Sequence, residues 1–214
     1  LGDDFSHLAV DLPGHGREGR SRQEEETDED LSMHGTAEAV ADLLDTLDIN
    51  TCHLVGYSMG GRLGVYLAVH PGERIKKAVI ESAHPGIRTA VERRGRSESD
   101  EDLALRLESE SFDDILKEWY DQPLFETMDK SGERFQAMLE RRRQSDPKGL
   151  AASLRHMGAG VQPALHKDLS GLKAPLLLVV GEKDNKYRGL AEEMNTLLKA
   201  IKEHPEKYFH FKIF

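Results

Sequence analysis

The pentapeptide Gly56-Tyr57-Ser58-Met59-Gly60 constrains this chain more than any other feature, because it joins an apolar run, Cys52 to Tyr57, to an apolar helical stretch, Leu63 to His70. G-x-S-x-G between a buried strand and a helix is a nucleophile elbow. The serine occupies a strained turn, so the residues two positions to either side are expected to lack side chains and let strand and helix approach. Its hydroxyl then projects beyond the sheet edge. The backbone N–H of Met59, at the helix start, stands where it can stabilise a developing oxyanion, aided by the helix dipole. The plainer reading of the same residues is a glycine-rich turn with a capping serine.

The rest of the chain alternates in the same way. Leu8 to Asp11 reads as a short buried strand, ended by the turn chemistry of Pro13, Gly14 and Gly16. Glu24 to Asp30 is almost wholly acidic and reads as a solvated connector. Met33 to Leu47 carries apolar residues at helical spacing behind a candidate N-cap, Ser32. Pro71 stops the elbow helix. Ala78 to Glu81 and Pro175 to Gly181 are continuous apolar runs of the kind buried on both faces of a parallel sheet, and Leu190 to Ile201 is a helix. Tyr208 to Phe214 is strand-like. Thr89 to Lys167 is rich in Arg, Glu and Leu and reads as several short helices. The expected fold is α/β, a mostly parallel doubly wound sheet whose core is 1–87 and 171–214, with 88–170 inserted as a helical cap over the C-terminal strand ends.

A chain of 214 residues accommodates one such domain and its insert. The formal net charge of −10 disfavours nucleic acid or an anionic membrane surface as partner, and no apolar stretch is long enough to span a bilayer. Cys52 is the sole cysteine and reads as core filler, which excludes an internal disulfide and suits the cytoplasm. No His and Cys spacing suggests a metal, and no cofactor is expected. Leu1 is not an initiator methionine and Phe214 closes a strand-like run, so both ends are expected to be cut.

Asp184 directly follows the Pro175 to Gly181 strand and comes after the serine, in the order Ser, Asp, His that the elbow architecture uses, which suits an orienting carboxylate. An aspartate after a strand is otherwise a turn former. Of the ten histidines, His15, His70 and His84 read as turn or surface residues and His210 falls inside a strand-like run, so the catalytic imidazole is expected just past Phe214. Arg62 lies four residues after Ser58, in the first helical turn, where a cation opposes the positive end of the dipole. An arginine held there at such a cost most simply grips a carboxylate of the substrate. The competing reading bends it outward to solvent.

Asp11 to Gly16, Gly56 to Arg62, Glu81 to Ile87, Trp119 to Phe125 and Gly181 to Tyr187 together resemble the 2-succinyl-6-hydroxy-2,4-cyclohexadiene-1-carboxylate synthases, a family of the α/β-hydrolase superfamily. The resemblance runs almost end to end. It implies an elimination in which the triad serine, as alkoxide or through its histidine, removes a proton from a cyclohexene ring bearing carboxylates and pyruvate leaves. It also implies a small anionic polycarboxylate substrate held by Arg62, Arg96 and Arg142, with Trp119 lining the pocket, Tyr57 flanking the elbow and Gln162 supporting the cap. Two family parts have no counterpart here: an early strand with its oxyanion loop, expected between the Leu8 to Asp11 strand and the Cys52 to Tyr57 strand, and the segment bearing the histidine. The chain as given is therefore expected to be inactive and to carry a gap or an unpaired edge in its sheet. The rival readings are a serine hydrolase of esters or carbon-carbon bonds, and a ligand-binding member of the fold that has lost catalysis.

Overall fold

The computed structural model describes residues 4–16, 27–70, 73–201 and 209–213. In chain order the elements are α1 (Met33–Thr46), β1 (Cys52–Tyr57), α2 (Ser58–Val69), β2 (Ile75–Glu81), α3 (Ala90–Ser109), α4 (Phe112–Asp121), α5 (Glu133–Arg143), α6 (Pro147–Met157), β3 (Leu176–Val180), α7 (Asn185–Ile201) and β4 (Phe209–Ile213). Pro71, the acidic residues 24–26, Tyr208 and Phe214 lie outside the described residues.

The four strands form one parallel sheet in the order β1-β2-β3-β4, each strand joined to the next by helical chain, as parallel pairing requires. The core lies on one face of it. Ala78, Ile80, Leu176, Leu178 and Val180 from the strands pack with Val65 and Ala68 of α2 and with Ala191, Met194 and Leu198 of α7. Cys52 is half-buried against the same cluster, as a core filler would be. α2 can come this close to the sheet because it carries glycines where it crosses. A Cβ on Gly64 would sit 2.7 Å from both Ile80 Cδ1 and Leu54 Cδ2.

Three expectations need correction. The strand runs are not buried on both faces: β3 alternates between buried and half-buried side chains, and Val55 of β1 is 63 % exposed. Leu8 to Asp11 is not a strand, and Leu8 and Val10 are exposed. A strand exists only where a neighbour takes its hydrogen bonds, and among the described residues β1 pairs with β2 alone. Helix starts were also set too late. α2 begins at Ser58 and not Leu63, and α7 at Asn185 and not Leu190, because each glycine-bearing turn passes straight into helix. α1 begins as read, with Ser32 Oγ accepting from the Gly35 N–H at 3.0 Å.

Between β2 and β3 the described residues are helical, as their composition indicates. α3, of 20 residues, starts at Thr89, whose side chain caps the Glu92 N–H. α6 starts at Asp146, which caps Lys148 and Gly149, with Pro147 in the first turn. α3 and α6 meet through Ala104, Leu107 and Ala151, and Arg155 of α6 pairs with both Glu101 and Glu108 of α3. Among the described residues no helix is long and apolar enough to cross a membrane.

Candidate active site

Ser58 has φ +51°, a left-handed conformation that a non-glycine residue adopts only where the surroundings force it. The cause lies in the turn itself. A Cβ on Gly56 would lie 2.4 Å from the Gly60 carbonyl oxygen, so β1 can turn into α2 only if position 56 is bare. The matching expectation for Gly60 fails, since a Cβ there meets nothing within 4 Å. The second tight approach belongs to Gly61, where a Cβ would lie 2.7 Å from Ala83 Cβ. Tyr57 takes the N-cap position in extended conformation without a side-chain cap, so its side chain leaves the first N–H groups of α2, including that of Met59, uncapped. Ser58 Oγ makes no hydrogen bond to any described residue.

One turn further along α2, Arg62 is buried and only 8 % exposed. Its Nη1 donates to the Met157 carbonyl at 3.0 Å and to Gln162 Oε1 at 2.9 Å. Both acceptors are neutral, so the guanidinium is held in place without being discharged, and its Nε and Nη2 have no partner among the described residues. Burial, then the neighbouring Arg96, lowers its pKa to about 10, which leaves it charged at neutral pH. Gln162 is 1 % exposed, and its Nε2 is buried without a hydrogen bond.

Arg96 reaches the same region from α3. Its Nε and Nη2 both donate to Oδ1 of the buried Asp100, at 2.9 and 2.8 Å, while Arg96 itself stays 42 % exposed. Arg96 is close enough to Arg62 to disfavour its charge.

Two further residues enter this group: Tyr187, to which the sequence reading gave no role, and His84, read from the sequence as a turn or surface residue but not at the surface. His84 follows β2 and is buried, accepting the Gly86 N–H on Nδ1 at 3.0 Å. Burial foremost, then Arg62, Lys186 and Arg96, drives its pKa down to about 4, so it is neutral at pH 7. Gly86, at φ +111°, is pressed against the chain after Gln162: a Cβ there would lie 2.6 Å from the Pro163 carbonyl oxygen, and the Leu165 N–H donates to the Pro85 carbonyl at 2.7 Å. Tyr187, in the first turn of α7, stacks on His84 with ring centroids 6.4 Å apart, and Lys186 Nζ lies 5.4 Å from its ring centre. Its hydroxyl has no partner among the described residues. Burial foremost raises the Tyr187 pKa; Arg62 and Arg96 oppose the rise, and Asp184 and Tyr57 add to it, which places all four within electrostatic reach. Both residues fall in motif blocks, Glu81 to Ile87 and Gly181 to Tyr187. That was the signal available for them.

The remaining candidates are less gathered. Asp184 caps α7, its Oδ1 accepting the Tyr187 N–H at 3.1 Å, so the turn-forming role is real and leaves Oδ2 uncommitted. Tyr57 is 60 % exposed beside the elbow. Trp119 on α4 is 41 % exposed, with Phe125 as its ring neighbour at 6.3 Å. Arg142 on α5 is exposed and faces His15 electrostatically. A groove of about 420 Å³ between α3 and α6, lined by Arg94, Asp100 and Arg155 among others, touches neither Ser58 nor Arg62.

Comparison with known proteins agrees with this fold. The "Alpha/beta hydrolase family" profile matches residues 1–206. The chain is 35 % identical over 195 residues to the 2-succinyl-6-hydroxy-2,4-cyclohexadiene-1-carboxylate synthase of Citrobacter koseri, covering 90 % of this chain and 73 % of the relative. It is 34 % identical over 194 residues to the synthase of Escherichia coli O157:H7, covering 89 % and 72 %. Among solved structures it is similar to MenH from S. aureus, with a TM-score of 0.80 at 28 % identity over 96 % of this chain and 73 % of that one. The enol-lactonase of Burkholderia xenovorans LB400, at 19 % identity and a TM-score of 0.66 over 95 % and 70 %, shares the fold.

Proposed function

The chain belongs to the alpha/beta hydrolase family and, within it, to the 2-succinyl-6-hydroxy-2,4-cyclohexadiene-1-carboxylate synthases, and from that premise we propose that it eliminates pyruvate from 2-succinyl-5-enolpyruvyl-6-hydroxy-3-cyclohexene-1-carboxylate in menaquinone biosynthesis. The observation that carries the reading is Arg62: a buried cation one helical turn from Ser58, fixed from behind by neutral acceptors, with Nε and Nη2 uncommitted. Buried cations are costly unless something anionic meets them, and a substrate bearing several carboxylates does so.

In this reading Ser58 Oγ, activated by an imidazole that Asp184 orients, takes a proton from a ring carbon. The C–H electron pair forms one new ring double bond, the existing ring double bond shifts by one position, the C–O bond to the enolpyruvyl group breaks, and the departing enolate takes up a proton to become pyruvate. The charge developing on that oxygen meets the Met59 N–H at the positive end of α2. No acyl-enzyme forms. Arg62 and Arg96 hold substrate carboxylates, and Gln162 keeps Arg62 aimed. Residues 88–170 act as a cap that shields the base from water, Trp119 and Arg142 contributing from its outer helices and Tyr57 from the elbow rim.

The test is pyruvate release from the enolpyruvyl substrate, followed with a coupled dehydrogenase, in the full-length gene product and in its Ser58→Ala variant. Release that depends on Ser58 supports the reading. Release that Ser58→Ala leaves unchanged, or ester hydrolysis without pyruvate release, overturns it.

A further inference from the structure

The two site arginines come from distant parts of the chain, and like charges so close together do not hold a fixed spacing unaided. One short segment binds Arg62 and packs on the helix that carries Arg96. The Met157 carbonyl and Gln162 Oε1 accept from Arg62 Nη1, at 3.0 and 2.9 Å, and the Gln162 N–H donates to the Gly158 carbonyl at 3.1 Å, so residues 157–162 wrap one side of Arg62. The other side of the same segment meets α3. A Cβ on Gly158 would stand 2.6 Å from Asp100 Oδ2, and a Cβ on Gly160 would stand 2.3 Å from Ser97 Oγ.

Asp100 is not an ordinary surface partner of Arg96. Its side chain is 7 % exposed where that of Arg96 is 42 % exposed. Oδ1 takes both hydrogen bonds from Arg96, while Oδ2 is buried against Gly158 with no hydrogen bond from any described residue. A carboxylate seated this way destabilises the fold, and an apolar residue of similar size serves packing better. What it accomplishes is positional.

Resting on the reading of Arg62 and Arg96 as carboxylate holders, we propose that Asp100 is a positioning residue, which fixes the spacing of the two guanidiniums by tethering Arg96 while seated against Gly158. It touches no substrate and acts through Arg96 alone. The spacing it sets selects a substrate whose carboxylates lie at one particular separation.

Calorimetric binding of 2-succinylbenzoate, a stable aromatic dicarboxylate with the two acid arms of the product, tests this in the wild type, Arg96→Ala, Asp100→Asn and the double variant. The expected result is a loss of about 5- to 20-fold for Asp100→Asn, and no further loss when it is added to Arg96→Ala. Equal affinity of Asp100→Asn and wild type, or an Asp100→Asn loss that adds fully to that of Arg96→Ala, overturns the proposal and leaves the functional reading standing. A wild type that does not bind the dicarboxylate removes the functional reading, and this one with it. Because Asp100→Asn risks misfolding, a second measurement uses the wild type: the Arg96 Nε–H resonance, assigned by its loss in Arg96→Lys, should exchange with solvent far more slowly than that of Arg94. Equal exchange of the two overturns the tether.

Discussion

Arg62 Nη1 donates to Gln162 Oε1 at 2.9 Å across 100 positions of sequence, and both side chains are buried. A helix rooted in the sheet is thereby bound to the chain leaving α6, and the Met157 carbonyl adds a second contact to the same Nη1. A hydrogen bond to a charged group in a dry site is worth about 1.5–3 kcal/mol. Gln162→Leu should therefore lower unfolding stability by about that amount in urea titration, and weaken dicarboxylate binding as Arg62 loses its aim. Unchanged binding would refute the link.

The elbow glycines separate cleanly. Gly56→Ala forces a methyl against the Gly60 carbonyl oxygen, whereas Gly60→Ala enters open space. The first should cost about 3 kcal/mol, and the second should raise stability by about 0.5–1 kcal/mol, the usual gain of alanine over glycine in a helix. Thermal melts of the two variants measure this, and equal melting temperatures would contradict the geometry.

His84 makes stability depend on pH. Its folded pKa is lowered to about 4 from the ordinary 6.5, so between those values the unfolded chain binds the extra proton. Its contribution is fully retained above pH 6.5 and falls away as pH drops toward 4, by about 3 kcal/mol at most. His84→Gln should flatten the stability profile between pH 6.5 and 4, read by urea midpoints. A profile as steep as the wild type's assigns the effect to other groups.

Tyr187→Phe keeps the ring on His84 and beneath Lys186 and removes only a hydroxyl with no protein partner among the described residues. Stability should stay within about 0.5 kcal/mol, as for a change that breaks no named contact. Affinity for the dicarboxylate should nonetheless fall several-fold, since that hydroxyl lies within electrostatic reach of both Arg62 and Arg96. An unchanged affinity would place the hydroxyl outside the binding site.

The local signals in the sequence proved readable at different depths. Ser58 and Arg62 stood out because motif spacing and dipole position act within a few residues, Gln162 and Arg96 came only from the family resemblance, and the structure gathers Arg62 with both of these. His84 and Tyr187 went unassigned although they lay in quoted motif blocks. Their significance is a ring stack between the loop after β2 and the first turn of α7, a contact across 103 positions that no local pattern encodes. Leu8 to Asp11 was misread for a related reason, since apolar residues make a strand only when a neighbour pairs with them.

The sequence by itself determined the alternation of strand and helix, the bare position at Gly56, and a serine placed where a strand turns into a helix, because these follow from side-chain volume, periodicity and turn geometry over short distances. Tertiary structure alone decided that Gly61 and not Gly60 is the second tight approach, that Arg62 turns inward to the Met157 carbonyl, and that a buried carboxylate at Asp100 stands behind Arg96. Each of those depends on what another segment brings within a few ångströms, and desolvation and steric exclusion act only once the segments have met.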